Sequence, residues 1–217
     1  MATMNKPCYA AILEHARAAP ARVFVASRRH TRLTALDLIS LAAADDSVVG
    51  GAAALWVDAS AISEVEAEAS RCQDASLKQC LVFGVGIHHA GLPERDREVV
   101  ERLFEAKKIQ VLISTSTLAW GVNLPARLVV VKGTEYFDGK LGKYVDYPVT
   151  DILQMMGRAG RPQFDDMAVA VILVHEPKKE FLKTMLYSPF PIESHLVDRL
   201  HNTLMAEVCA TGAIHDK

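Results

Sequence analysis

Apolar positions along the chain follow two alternating rhythms. Short unbroken apolar runs, the pattern of strands buried on both faces, occur at Val23–Ala26, Val85–His88, Ile109–Ser114, Leu128–Val131 and Ala168–His175. Between them, apolar residues recur three or four apart. This spacing predicts helices over residues 5–19 (through Tyr9, Ile12, Leu13 and Ala16, stopping at Pro20), Thr31–Ala44, Asp74–Phe83, Pro93–Lys107, Val149–Arg158, 178–187 and 194–208. Residues 42–70 are Ala-rich around Gly50-Gly51 and read as a loop, then a helix from about Ser60. Ser63 and Glu66 stand at capping-box spacing and offer a later start for that helix. Strand and helix signals in alternation predict an α/β domain with a mostly parallel sheet. No internal repeat is visible.

Composition narrows the class. At 217 residues, half of them hydrophobic, the chain is long enough for one domain, or one domain and the start of another. No run reaches the roughly 20 apolar residues a membrane helix needs, and no charged and then apolar leader opens the chain. The four cysteines, Cys8, Cys72, Cys80 and Cys209, are scattered without a CxxC pair, so a reducing compartment is expected. A formal charge of −2 argues against nucleic-acid binding through one large basic surface. It leaves open a strand-tracking groove lined by a few backbone amides and hydroxyls.

Four segments carry chemistry. The run Gln154-Met155-Met156-Gly157-Arg158-Ala159-Gly160-Arg161-Pro162 puts two arginines three apart on one face of a helix end. Each guanidinium offers a planar fork of donors suited to phosphate oxygens; the plainer reading pairs them with Asp165 or Asp166. The run Ile113–Ala126 leaves a strand and is rich in hydroxyls and amides where a parallel sheet opens its ligand crevice. Such groups suit sugar-phosphate contacts, or simply cap a strand-to-helix turn. Ser27-Arg28-Arg29 also follows a strand, where Ser27 could equally be a helix cap. His88-His89-Ala90-Gly91-Leu92 pairs two histidines, but adjacent strand residues face opposite ways and no third ligand is in view, so a metal is not expected.

In this order the four segments resemble motifs IV, IVa, V and VI of superfamily 2 helicases, over about Met4–Glu207. The strings HHAGL, GVNLPA and QMMGRAGR resemble the superkiller-like DExH branch. Gly133–Lys140, Tyr144–Pro148 and Pro162–Asp166 narrow the likeness to the two-cassette helicases of the spliceosome and of the activating signal cointegrator complex, nearest a C-terminal cassette of the latter kind. The resemblance implies a RecA-like three-layer sandwich over residues 1–200, the second lobe of a two-lobed motor, with an inserted β-hairpin near 133–147. Residues 201–217 then open a truncated winged-helix domain.

No GxxxxGK(S/T) phosphate loop and no DExH box occur in the chain; in the family both lie on the first lobe. ATP and Mg²⁺ are therefore expected in the full-length protein and not on protein ligands of this lobe alone, which is expected to be inactive by itself. The resemblance implies arginine fingers at Arg158 and Arg161, with Gln154 as an interlobe or water-positioning contact. Gly121, Asn123 and Gly157 would lie near the nucleotide. Ser27, Arg28, His89, Thr115 and Thr117 would touch the nucleic-acid strand, with Phe137 and Tyr144 on a strand-separating hairpin turning at Asp138-Gly139. Expected partners are the first RecA-like lobe, the winged-helix domain, single-stranded or partly duplex RNA or DNA, RNA foremost, and a multi-subunit complex. No membrane is expected, and the location is nuclear, cytoplasmic or both. The competing reading is a catalytically idle cassette that keeps the fold as a protein-interaction platform.

Overall fold

The computed structural model describes residues 2–17, 19–45, 56–116, 118–121, 123–160, 167–187 and 199–212. They cluster into two compact units, residues 1–179 and 180–217. The strands, all in the first unit, are β1 (Ala21–Val25), β2 (Val85–His88), β3 (Val111–Thr115), β4 (Leu128–Lys132), β5 (Glu135–Asp138), β6 (Lys143–Asp146) and β7 (Val169–Leu173). The helices are α1 (Asn5–His15), α2 (Arg28–Ala43), α3 (Ile62–Arg71), α4 (Ala75–Leu81), α5 (Glu94–Glu105), α6 (Leu118–Gly121), α7 (Val149–Met156), α8 (Glu176–Tyr187) and α9 (Leu200–Thr211). The second unit holds the later part of α8 and α9.

Five strands make one sheet in the order β2-β3-β1-β4-β7, every pairing parallel. Every residue of β1 to β4 is buried, as an apolar run covered on both faces demands. The two coverings follow from side-chain alternation. On one face Lys132 reaches α1 and α2: its Nζ donates to Thr34 Oγ1 at 2.7 Å and to Asn5 Oδ1. Burial lowers the Lys132 pKa, and two oxygens from two helices keep the ammonium satisfied. On the other face Gly86 lies so close to Val100 of α5 that a Cβ would meet its methyl at 2.7 Å. The result is the α/β three-layer sandwich, with helices on both sides of a parallel sheet.

Four details differ from the sequence expectation. The final strand β7, at one sheet edge, is half-buried along its length, whereas β2 at the other edge is fully buried; an apolar run does not reveal which edge is covered. Helix α2 begins at Arg28, three residues before Thr31, because Ser27 is extended and its hydroxyl accepts from His30 N at 3.3 Å. Helix α3 begins at Ile62, after a 3-10 turn (Ala59–Ala61) capped by Asp58, whose carboxylate accepts from Ser60 N at 2.9 Å, so Ser63 and Glu66 lie inside the helix. The hairpin turn spans Gly139–Gly142 rather than Asp138-Gly139 alone. Asp138 Oδ1 accepts from Lys140 N and Leu141 N, and the chain closes through Gly142 at φ 63°, where glycine carries no steric cost.

Candidate functional site

Because the sheet is parallel, its two ends differ. The segment after β3 leaves the carboxyl end at Thr115, passes through α6, and returns to the amino end at Ala126, just before β4. There Ala126 pairs with Ala159 beyond α7: Ala126 N donates to Arg158 O at 3.0 Å and Gly160 N to Ala126 O at 2.7 Å. Gly160 sits at φ 99°, a backbone setting that favours glycine. The 118–126 segment is thus strung between the two ends of the sheet.

Two arginines hold it. Arg158 donates from Nε to Ala119 O at 3.0 Å, from Nη2 to the same oxygen, and from Nη1 to Asn123 Oδ1 at 2.8 Å. From beneath, Arg22 on β1 donates from Nη1 to Leu124 O and from Nη2 to Leu118 O, both at 3.1 Å. Arg22 is completely buried, and its guanidinium stacks 4.6 Å from the Phe24 ring centre. Burial first, then the nearby Arg158, pushes its pKa down to about 9, so it stays a cation at neutral pH. Arg22→Ala is expected to lower unfolding free energy by about 3 kcal/mol, since two buried carbonyls lose their donors. Chemical denaturation measures this; a loss under about 1 kcal/mol would mean the segment finds other donors.

Arg158 is half-buried, and among the described residues three of its five N–H groups are engaged. The other two can meet phosphate oxygens while the grip on Asn123 holds. Gln154, one helical turn earlier on α7, is half-buried, and Asn123 is exposed beside Arg158. Gly121 ends α6. Gly157 ends α7, where a Cβ would meet Leu153 O at 3.3 Å. Arg161 and Thr117 lie outside the described residues. No group of three metal-ligating side chains occurs among the described residues.

At the carboxyl end of the sheet a groove of about 450 Å³ is lined by Ser27 and Arg28 after β1, Ala90, Thr115 at the end of β3 and Ser116 after it, Asp151, Tyr136 and Tyr147. The two tyrosines stack at 5.0 Å. Ser27, Arg28 and Thr115 therefore share one groove. His89 lies next to it: it follows β2 and accepts Gly91 N at Nδ1, 3.1 Å away. Its neighbour His88 is buried, with Nε2 2.6 Å from Glu101 of α5. Burial lowers the His88 pKa and the Glu101 contact works against that.

The β5–β6 hairpin stands beside the groove. Phe137 and Tyr144 are register partners, 56% and 61% exposed, with ring centres 5.5 Å apart. At its base Glu135 and Asp146 face each other, two like charges that would splay the strands. Lys178 on α8 bonds both, Asp146 Oδ1 at 2.6 Å, and fastens the hairpin to the domain.

Residues 59–163 match the helicase conserved C-terminal domain family. Over all 217 residues the chain is 58% identical to activating signal cointegrator 1 complex subunit 3 of Danio rerio, of which it covers 14%. It is 56% identical to the DExH-box ATP-dependent RNA helicase DExH14 of Arabidopsis thaliana, again over 217 residues and covering 10% of that protein. The human activating signal cointegrator 1 complex subunit 3 is 55% identical, with 10% covered. The chain carries a helicase C-terminal domain of the DExH type. It spans only about a tenth of the length of these relatives.

Within this helicase domain, Arg22 and Lys178 were missed by sequence reasoning. Arg22 reads as the polar border of an apolar run, and its partners lie 96 and 102 residues away. Lys178 reads as one more surface lysine on a helix. A charged residue bordering a strand signal is a weak clue to the first, and nothing in the sequence marks the second.

Proposed function

We propose that this chain is the second motor lobe of an ATP-dependent RNA helicase. The observation that carries the reading is Arg158, gripped by Ala119 O and Asn123 just past α7, with two N–H groups that no described residue engages. ATP and Mg²⁺ would be held mainly by a facing first lobe that supplies the phosphate loop. Toward the γ-phosphate this lobe would present Arg158 and Arg161 as arginine fingers and Gln154 as a water-positioning or interlobe contact, with Gly121, Asn123 and Gly157 alongside. The groove of Ser27, Arg28 and Thr115, with His89 and Thr117, would hold the strand backbone. Phe137 and Tyr144 would wedge the duplex.

The 118–126 segment supports coupling between the two activities. The segment follows Thr115 in the strand groove, and Arg158 grips it at Ala119 and Asn123, so a shift of Arg158 on lobe closure would pull on the strand-contacting edge. Two discrete lobe positions driven by a ligand are enough for stepping. In this reading residues 1–200 are the lobe and 201–217 lead into a winged-helix domain. The whole protein would work in a multi-subunit complex, as the names of the relatives suggest, in nucleus, cytoplasm or both.

The purified 217-residue chain is expected to show no ATP hydrolysis above background, with or without single strands. Turnover at the rate of an intact helicase, typically about 1–10³ per second for enzymes, would contradict the division of labour between lobes.

A further inference from the structure

We propose that Arg29 and Arg32 form a second backbone-phosphate subsite that continues the strand track past Arg28. The proposal rests on the strand-binding reading of the groove at the carboxyl end of the sheet. A second groove of about 480 Å³ adjoins that one and shares Arg28 with it. Its polar lining is Arg28, Arg29, Arg32, His89, Ser76 and Asp74.

The three arginines are exposed and make no ion pair among the described residues. The single carboxylate in the lining, Asp74, is engaged as the cap of α4, accepting Leu77 N at 2.8 Å. His89 accepts Gly91 N at Nδ1, which leaves Nε2–H as a donor. The groove is therefore a cluster of donors and positive charge with its one acid occupied.

Placement strengthens the case. Arg28 and Arg29 open α2, and no acidic residue lies in its first turn. Cations at a helix N-terminus oppose the macrodipole, whereas an anion there satisfies both the dipole and the arginines. Arg28 and Arg32 stand one turn apart on the same face, about 6 Å along the axis, so they can grip successive positions of an extended backbone. Arg28 also packs onto Gly91, where a Cβ would meet its Nη1 at 2.8 Å, which holds the guanidinium at the junction of the two grooves. The second groove has no Phe, Tyr or Trp ring in its lining, unlike the first, which carries Tyr136 and Tyr147. Its polar lining is dominated by arginine donors, so its occupant is held chiefly through phosphates, which carry no base preference.

The test is equilibrium binding of labelled single-stranded RNA to the full-length protein over a salt series. Each phosphate contact contributes about 0.7 to the slope of log K against log salt for single strands. The Arg29→Ala/Arg32→Ala double variant is expected to reduce that slope by about 1.4, alike for different base sequences. Arg29→Lys/Arg32→Lys should restore most of it. Thermal unfolding should be unmoved by either pair, because both side chains are exposed. If Arg28→Ala weakens binding while the double alanine variant keeps the wild-type slope, the subsite is wrong and the first groove stands. If the wild-type slope is retained in all three variants, the strand reading of both grooves falls. Loss of an acidic peptide probe in the double variant, with RNA binding intact, would assign the groove to a protein ligand and overturn the proposal.

Discussion

Replacing residues 137–144 with a short Gly-Ser turn leaves strand-stimulated ATP hydrolysis intact in the full-length protein and lowers duplex unwinding by about tenfold or more. Arg158, Asn123 and Gln154 lie outside the replaced segment, so turnover has no reason to fall. Unwinding loses Phe137 and Tyr144, two exposed rings in edge contact at 5.5 Å. Stacking of a base on one such ring is worth about 1–3 kcal/mol, against a mean of about 1.4 kcal/mol per opened DNA base-pair step. One ring can therefore offset one step, and 1.4 kcal/mol is about a factor of ten. The wedge also needs a firm base, which Lys178 supplies by neutralising Glu135 and Asp146 together; both acids survive the replacement. The readout is base pairs unwound per ATP hydrolysed. An unchanged ratio would make the hairpin ordinary surface structure.

Much of the fold was legible in the sequence because parallel strands buried on both faces leave continuous apolar runs. Val85–His88 was read to the residue, and β1, β3 and β4 to within two residues at each end. What failed was information that sequence spacing does not hold. The edge position of β7 depends on strand order, not on its own residues. The hairpin turn depends on Gly142 adopting a left-handed conformation after an Asp138 cap, whereas Asp138-Gly139 alone suggests a tighter turn. Buried polar residues were the hardest. Arg22 and Lys132 find partners about a hundred residues away, through contacts that only the packed sandwich creates. The site was legible as strings of residue types. That Arg158 closes on Asn123, 35 residues earlier, was not.

Arg158→Ala in the full-length protein is expected to lower the kcat of strand-stimulated ATP hydrolysis by about 10³-fold or more, the range typical of arginine fingers. The loss should fall on kcat, because a finger acts on charge that develops in the transition state. Arg158 also has a structural share, since Ala119 O accepts two of its N–H groups. That share is about 1.5–3 kcal/mol, because a charged guanidinium donates to the carbonyl of the buried Ala119. Arg158→Lys separates the two roles. An ammonium can still reach one oxygen but lacks the fork, so stability should recover while turnover does not.

The deciding measurement is therefore kcat for strand-stimulated ATP hydrolysis by the full-length Arg158→Ala protein, with its thermal midpoint recorded beside the wild type. A motor lobe gives a drop of about 10³-fold or more at a temperature where the variant, its midpoint lowered by the lost Ala119 and Asn123 bonds, is still folded. Turnover within about threefold of wild type would contradict the motor role and leave this domain as a helicase fold serving another purpose.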